Sequence, residues 1–175
     1  MKAILETPRL IMQELNESDL DFVALMLAHT EVMQYWPRPF TRAESADWIK
    51  NQRDRYVKDG FGYWLLMDKE MRQSVGQAGL MTMIVDGVEE TGLGYILHRP
   101  FWSKGFAIEA ALACRDYLFD TLKRDRLIAS IRPTNVRSQA VALKIGLKEE
   151  KRVDYKGLEH VIFSAQRTVG MGCSS

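Results

Sequence analysis

Cysteine is scarce in this chain: only Cys114 and Cys173 occur among 175 residues. Two free thiols fit a reducing compartment and exclude a disulfide scaffold. No Cys or His pair has zinc-site spacing, and His29, His98 and His160 are scattered, so no metal is expected. Neither charge sign dominates, since 24 basic and 23 acidic residues leave a net charge of +1. That balance removes the electrostatic case for nucleic acid or an anionic membrane surface as partner. The longest apolar stretch, around Phe22 to Ala28, is too short to span a bilayer. The opening residues MKAILETPRL lack an apolar core and a small-residue cleavage site, so no signal peptide is expected. A cytoplasmic protein follows from these absences. No repeat, low-complexity block or Pro/Gly/Ser linker divides the chain.

What is present describes one globular domain. Hydrophobic residues make up 46% and charged residues 27%, which fits neither disorder nor a coiled coil. A domain of this length buries roughly 70% of its unfolded surface and needs no staple. One domain is expected over residues 1–168, with a loose tail at 169–175.

Arg9 to Met12 reads as a first strand. Leu20, Val23, Ala24 and Leu27 recur at helical spacing after the N-cap candidates Asn16 to Ser18. Two prolines, Pro37 and Pro39, stop that helix. Thr41 and Glu44 form a capping-box pair for a second helix carrying Trp48, Ile49 and Tyr56. Strands follow at Tyr63 to Met67, Val75 to Val85 and Gly92 to His98, with a turn at Asp86-Gly87. Gly105 to Leu122 is helical, Arg126 to Ile131 alternates as a strand, and Asn135 opens a helix ended by Gly146. Two strands joined through Lys156-Gly157 close the chain. The order predicts an α+β fold with seven strands, about four helices and a crossover in the middle.

The stretch Gly94 to Ala110 carries the chemistry: a strand, a short loop, then a helix starting at Gly105. The first N–H groups of a helix lack internal partners and lie at the positive end of its dipole, which suits a diphosphate. Gly105 and Ala107 leave that backbone uncovered, and Lys104 adds a cation. An ordinary helix start explains the same residues when they are taken alone.

The string Gly94-Tyr95-Ile96-Leu97, then Trp102-Ser103-Lys104-Gly105-Phe106-Ala107-Ile108-Glu109-Ala110, resembles the acetyl-CoA motif of the GNAT superfamily of N-acetyltransferases. Trp102 departs from the superfamily's Gln or Arg but is similar to the branch of ribosomal-protein N-terminal acetyltransferases RimJ and RimL. Thr7-Pro8-Arg9-Leu10, Ser18-Asp19-Leu20, Pro133 to Ser138 and Lys144-Ile145-Gly146-Leu147 resemble further segments of that branch in the same order.

This resemblance implies a central mixed sheet splayed between strands four and five, here Gly92–His98 and Arg126–Ile131. It implies that acetyl-CoA is the cosubstrate. Its pantetheine arm would pair like an added strand with Tyr95, Ile96, Leu97 and His98. Its pyrophosphate would rest on Ser103, Lys104, Gly105, Phe106, Ala107 and Ile108. Asn135 resembles the family residue that contacts the pantetheine, with Ser138 assisting; Asn135 also reads as a plain N-cap. The Tyr that protonates the leaving thiolate in many relatives is Ala142 here, which leaves Ser138 or water. The Glu that acts as base in some relatives is Ser130, which could hold a water. Glu109 reads mainly as structural. An α-amine lowers the need for a base, because its pKa is about 8 against ~10.4 for lysine.

The expected reaction is direct attack of a primary amine on acetyl-CoA in a ternary complex, with a protein N-terminal α-amine as acceptor. The alternatives are a small amine (antibiotic, polyamine or amino acid) or a non-catalytic acyl-CoA-binding module. Tyr35, Trp36, Arg38, Phe40, Trp64, Asp154, Tyr155 and His160 are candidate acceptor contacts. Monomer and homodimer both remain open.

Overall fold

The computed structural model describes residues 3–168. The expected tail at 169–175, with Cys173, lies outside the described residues. Strands β1 (Ala3–Glu6) and β2 (Leu10–Glu14) lead through a short 3-10 turn to helices α1 (Leu20–Leu27) and α2 (Arg42–Lys58). A meander follows: β3 (Tyr63–Asp68), β4 (Gln73–Val85) and β5 (Val88–Leu97). Helix α3 (Phe106–Asp116) crosses to β6 (Arg126–Ile131). Helix α4 (Val136–Lys144), β7 (Lys148–Tyr155) and β8 (Leu158–Gln166) complete the chain.

All eight strands form one sheet in the order β1-β2-β3-β4-β5-β6-β8-β7. The sequence predicts seven. The additional strand is β1, whose Leu5 pairs with Met12 and Glu6 with Ile11. Four residues before a proline carry no alternation to read; pairing with β2 makes them a strand. β5 and β6 are parallel and every other neighbouring pair is antiparallel. A parallel neighbour needs a crossover, and α3 supplies it.

The parallel pair is joined at one position, Gly92 with Ile128. Beyond it, Tyr95, Ile96 and Leu97 pair with Ala78, Gln77 and Gly76 of β4 alone. The sheet therefore opens in a V between β5 and β6, as the resemblance implies, and the free edge of β5 faces the opening.

Local chemistry fixes the ends of these elements. Thr41 and Glu44 cap α2 reciprocally. Asn135 Oδ1 accepts from the Ser138 N–H, and Gly146 follows α4 at φ +89°, a left-handed position that favours glycine. Both Asp86-Gly87 and Lys156-Gly157 have two consecutive positive φ values, the turn that matches strand twist in a two-residue hairpin. The end of the α3 helix differs from the regular helix expected through Leu122. Its last turn, Tyr117–Thr121, widens, and Leu122 N–H bonds back five residues to Tyr117 O.

Alternation along β5 sends its side chains to two cores. Leu93, Tyr95 and Leu97 pack with Phe106, Ala110 and Ala142 on the α3/α4 face. Ile96 packs with Val23, Met33 and Ile49 on the α1/α2 face. Cys114 is fully buried in the first core, as its helical spacing predicts.

Candidate active site

The loop after β5 is held by its own aromatic residue. Trp102 Nε1 donates to Leu97 O at 2.8 Å, tying the loop to the strand end. The guanidinium carbons of Arg99 and Arg137 lie 4.8 Å and 5.0 Å from the Trp102 ring centroid. Such cation–π contacts give a tryptophan a positioning role that a flexible Gln or Arg would fill differently. Ser103 (φ 62°) and Gly105 (φ 82°) both adopt left-handed conformations before α3 starts. No side chain caps α3, so its first amides remain available.

Glu109 and the N-terminal strand brace this helix. Glu109 Oε1 accepts from Thr7 Oγ1 (2.5 Å) and from the Arg9 N–H (2.8 Å), while Oε2 accepts from Arg9 Nε (2.6 Å). Arg9 also donates to Lys104 O at 2.8 Å and lies 4.5 Å from the Phe106 ring centre. Burial raises the Glu109 pKa, but the bonds from Thr7 and Arg9 outweigh it and hold the carboxyl below the ordinary range. Glu109 is therefore structural, which its place in the helix suggested. The clamp across some hundred residues was not legible, although the Thr-x-Arg-Leu and Glu-Ala matches held its parts.

Two clefts meet at the V. The first, about 360 Å³, is lined by Tyr95, Ile96 and Leu97, by Ser103, Gly105, Phe106, Ala107 and Ile108, and by Asn135 and Ser138. Arg137 and Lys144 of α4 line it too, with Glu31, Tyr35 and Trp36 from the segment before α2. Two expected residues lie elsewhere. His98 is past the end of β5, and its ring packs against Phe22, His29 and Phe101. Burial, with a smaller effect of His29, lowers its pKa. Lys104 is exposed, with Nζ 5.2 Å from the Phe101 ring centre.

The second cleft, about 400 Å³, lies on the other side of Tyr95 and Ile96. Ser130 lines it, with an Oγ that is shielded from solvent and has no partner. Ala142 lines it too, without a hydroxyl to offer. Aromatic rings of Trp36, Trp48, Tyr63 and Tyr155 form much of its wall. His160 also lines it; its Nδ1 lies 2.8 Å from Leu158 O. A carbonyl only accepts, so Nδ1 carries the hydrogen of this bond, which leaves Nε2 to face other partners. Of the other expected acceptor contacts, Trp64 is buried in the α3/α4 core, and Arg38 is bound to Glu44.

Tyr35, Trp36, Tyr95, Ile96, Asn135 and Ser138 border both clefts. Ser138 stands at the junction, its carbonyl accepting from Tyr95 Oη at 3.3 Å. Burial pushes the Tyr95 phenol up to about 12, against the opposing effect of the Ser138 side chain. A groove of about 1070 Å³ between α2 and the N-terminal strands is larger, but it contains none of these residues. Among the described residues, no group of three or more His, Cys, Asp or Glu side chains is placed to hold a metal. No helix in that range is long and apolar enough to cross a membrane.

The fold is shared with relatives of the chain. Uncharacterized protein YkkB of Bacillus subtilis (strain 168) is 30% identical over 156 residues, covering 87% of this chain and 89% of that protein. An acetyltransferase from Agrobacterium tumefaciens str. C58 shares the fold with a TM-score of 0.81 at 24% identity, over 92% of each chain. The RimL ribosomal L7/L12 alpha-N-protein acetyltransferase, solved with coenzyme A, has a TM-score of 0.77 at 16% identity, over 94% of this chain and 98% of its own. The acetyltransferase (GNAT) domain model matches residues 9–148, which include Arg9 and Glu109 of the clamp, the loop and the whole lining of the first cleft, and the chain belongs to that family of acetyltransferases.

Proposed function

We propose that this acetyltransferase moves the acetyl group of acetyl-CoA to an α-amine by direct attack, with a protein N-terminus as acceptor. The carrying observation is the pair of clefts that meet at Tyr95, Ile96, Asn135 and Ser138. One suits an extended thioester and the other its acceptor. A site that only sensed acyl-CoA would need no second cleft.

The residues of the first cleft fit acetyl-CoA. The free edge of β5 at Tyr95 to Leu97 offers backbone groups to the pantetheine amides. The uncapped start of α3 at Gly105 to Ile108 offers N–H groups to the pyrophosphate. Arg137 and Lys144 supply positive charge beside them. When bound, acetyl-CoA supplies an activated acyl carbon on a good leaving group.

The chain's own groups handle the protons. A new C–N bond forms as the C–S bond breaks. His160 Nε2 takes the amine proton, directly or through a water held by Ser130 Oγ. The Ser138 hydroxyl gives a proton to the departing sulfur, taking the role that Ala142 cannot. Exchange with water resets both groups. Holding both substrates in one ternary complex contributes rate by proximity. An α-amine suits a site with no carboxylate base, because more of it is neutral at pH 7 than of a lysine. A small amine is the second reading, favoured by a cleft volume within the range of small-molecule sites.

Thiol release from acetyl-CoA, measured with peptides and small amines and followed by mass spectrometry of the products, tests this. N-acetyl peptide is the expected product. Binding of acetyl-CoA without acetylation of any amine would refute catalysis and leave the acyl-CoA-binding module.

A further inference from the structure

The charge lining the second cleft is one-sided. Arg55, Arg132 and Lys156 line it together with His160. Among the described residues that line it, none is Asp or Glu. No described carboxylate forms an ion pair with Arg55, Arg132 or Lys156. Arginines at positions 9, 38, 42, 53, 99, 115, 126, 152 and 167 all have carboxylate partners, whereas Arg55 and Arg132, like Arg72, Arg124 and Arg137, have none among the described residues. A near-neutral protein has thus gathered unneutralised cations in one cleft.

A second observation points the same way. Ser130 Oγ, at the end of β6, and Arg132 Nε, one residue past that end, are both shielded from solvent and both without a hydrogen-bond partner. Buried donors are rarely left unsatisfied, because the lost bond to water is not replaced. A ligand oxygen bearing negative charge would satisfy them, and a guanidinium favours a carboxylate in particular.

Resting on the acetyl-transfer reading above, we infer that the acceptor carries a carboxylate near its reacting amine. Arg132 receives that carboxylate, and Arg55 and Lys156 extend the positive field around it. The aromatic wall of Trp36, Trp48 and Tyr63 packs the apolar part of the acceptor. The same field repels polycations, so polyamines and aminoglycosides are poor acceptors. It also favours the neutral over the protonated amine, which is the nucleophilic form. The carboxylate comes from a free amino acid or from acidic side chains after a peptide's N-terminus; the chemistry recognised is shared.

The test compares matched acceptors with the intact enzyme and acetyl-CoA. Phenylalanine is paired with phenylalanine amide. A peptide amide of serine followed by two glutamates is paired with one of serine followed by two lysines. Spermidine is the polycation. The acidic member of at least one pair is expected to have the higher kcat/KM, by about 10- to 100-fold, the usual scale for a charged hydrogen bond. Which pair responds identifies the source of the carboxylate. R132Q is expected to collapse that ratio toward one. Lys156 is exposed, so K156Q threatens folding least, and it is expected to narrow the ratio several-fold. Equal rates within both pairs, or preference for spermidine or the lysine peptide, overturn the inference while leaving acetyl transfer intact. Acetylation of none of them overturns the acetyl-transfer reading, and this inference with it.

Discussion

Removing the Glu109 carboxylate separates a brace from a catalyst. Its two oxygens accept three bonds, from Thr7 Oγ1, Arg9 N–H and Arg9 Nε, and its side chain is only 16% exposed. A hydrogen bond to a charged group is worth about 1.5–3 kcal/mol. Both bonds from Arg9 are exposed, its side chain by 46%, so together they are discounted to about 0–1 kcal/mol, beside the full value for Thr7. Glu109→Ala is therefore expected to cost about 2–4 kcal/mol. For a domain of this size that lowers Tm by roughly 4–16 °C. Calorimetric melts against pH check the origin of the loss. The folded pKa lies below the ordinary glutamate value, so the stabilisation is present above that value and is lost as pH falls through the folded pKa. Wild-type and variant melts should differ at pH 7 and converge in acid. Acetyl-CoA affinity should weaken, because the clamp seats the start of α3. Unchanged melts refute the clamp. An inactive Glu109→Gln with normal melting and normal acetyl-CoA affinity refutes the structural role and makes this residue a catalytic base.

Further outcomes follow from the same geometry. Gly105→Glu should abolish acetyl-CoA binding in calorimetry, since Gly105 sits at φ 82° and a Cβ there would lie 3.2 Å from the Arg9 guanidinium, with a negative charge added where phosphates belong. Unchanged affinity removes the loop from the cofactor site. Cys114→Ala should keep most activity, because burial pushes that thiol far up from its ordinary pKa and leaves it inert; an acetyl thioester trapped on Cys114 by mass spectrometry would instead establish an acyl-enzyme. Gly94→Ala should destabilise by about 1–3 kcal/mol, read from the denaturant midpoint, because its Cβ would meet the buried Tyr63 hydroxyl. His160→Gln should lower kcat while leaving acetyl-CoA affinity unchanged in calorimetry; an unchanged kcat removes His160 as the base.

Much of this protein was written in short-range chemistry. The capping box at Thr41 and Glu44, the hairpin residues Asp86-Gly87 and the cap at Gly146 are local rules, and each element they delimit is in place. The motif from Gly94 to Ala110 likewise located a strand, a loop and a bare helix start, since all three need only neighbouring residues. The strand β1 was not legible, because four residues become a strand only by finding a partner edge. Nor were the packing of His98 away from the first cleft, the clamp from Thr7 and Arg9 to Glu109, or the cationic second cleft formed by Arg55, Arg132 and Lys156. Those residues lie tens to a hundred positions apart, and their proximity is set by sheet order and the splay between β5 and β6. Sequence therefore determined the fold and the place of the first cleft, where backbone geometry within one motif suffices. The character of the second cleft depends on the summed charge of side chains from separate elements, and only the tertiary structure brings those together.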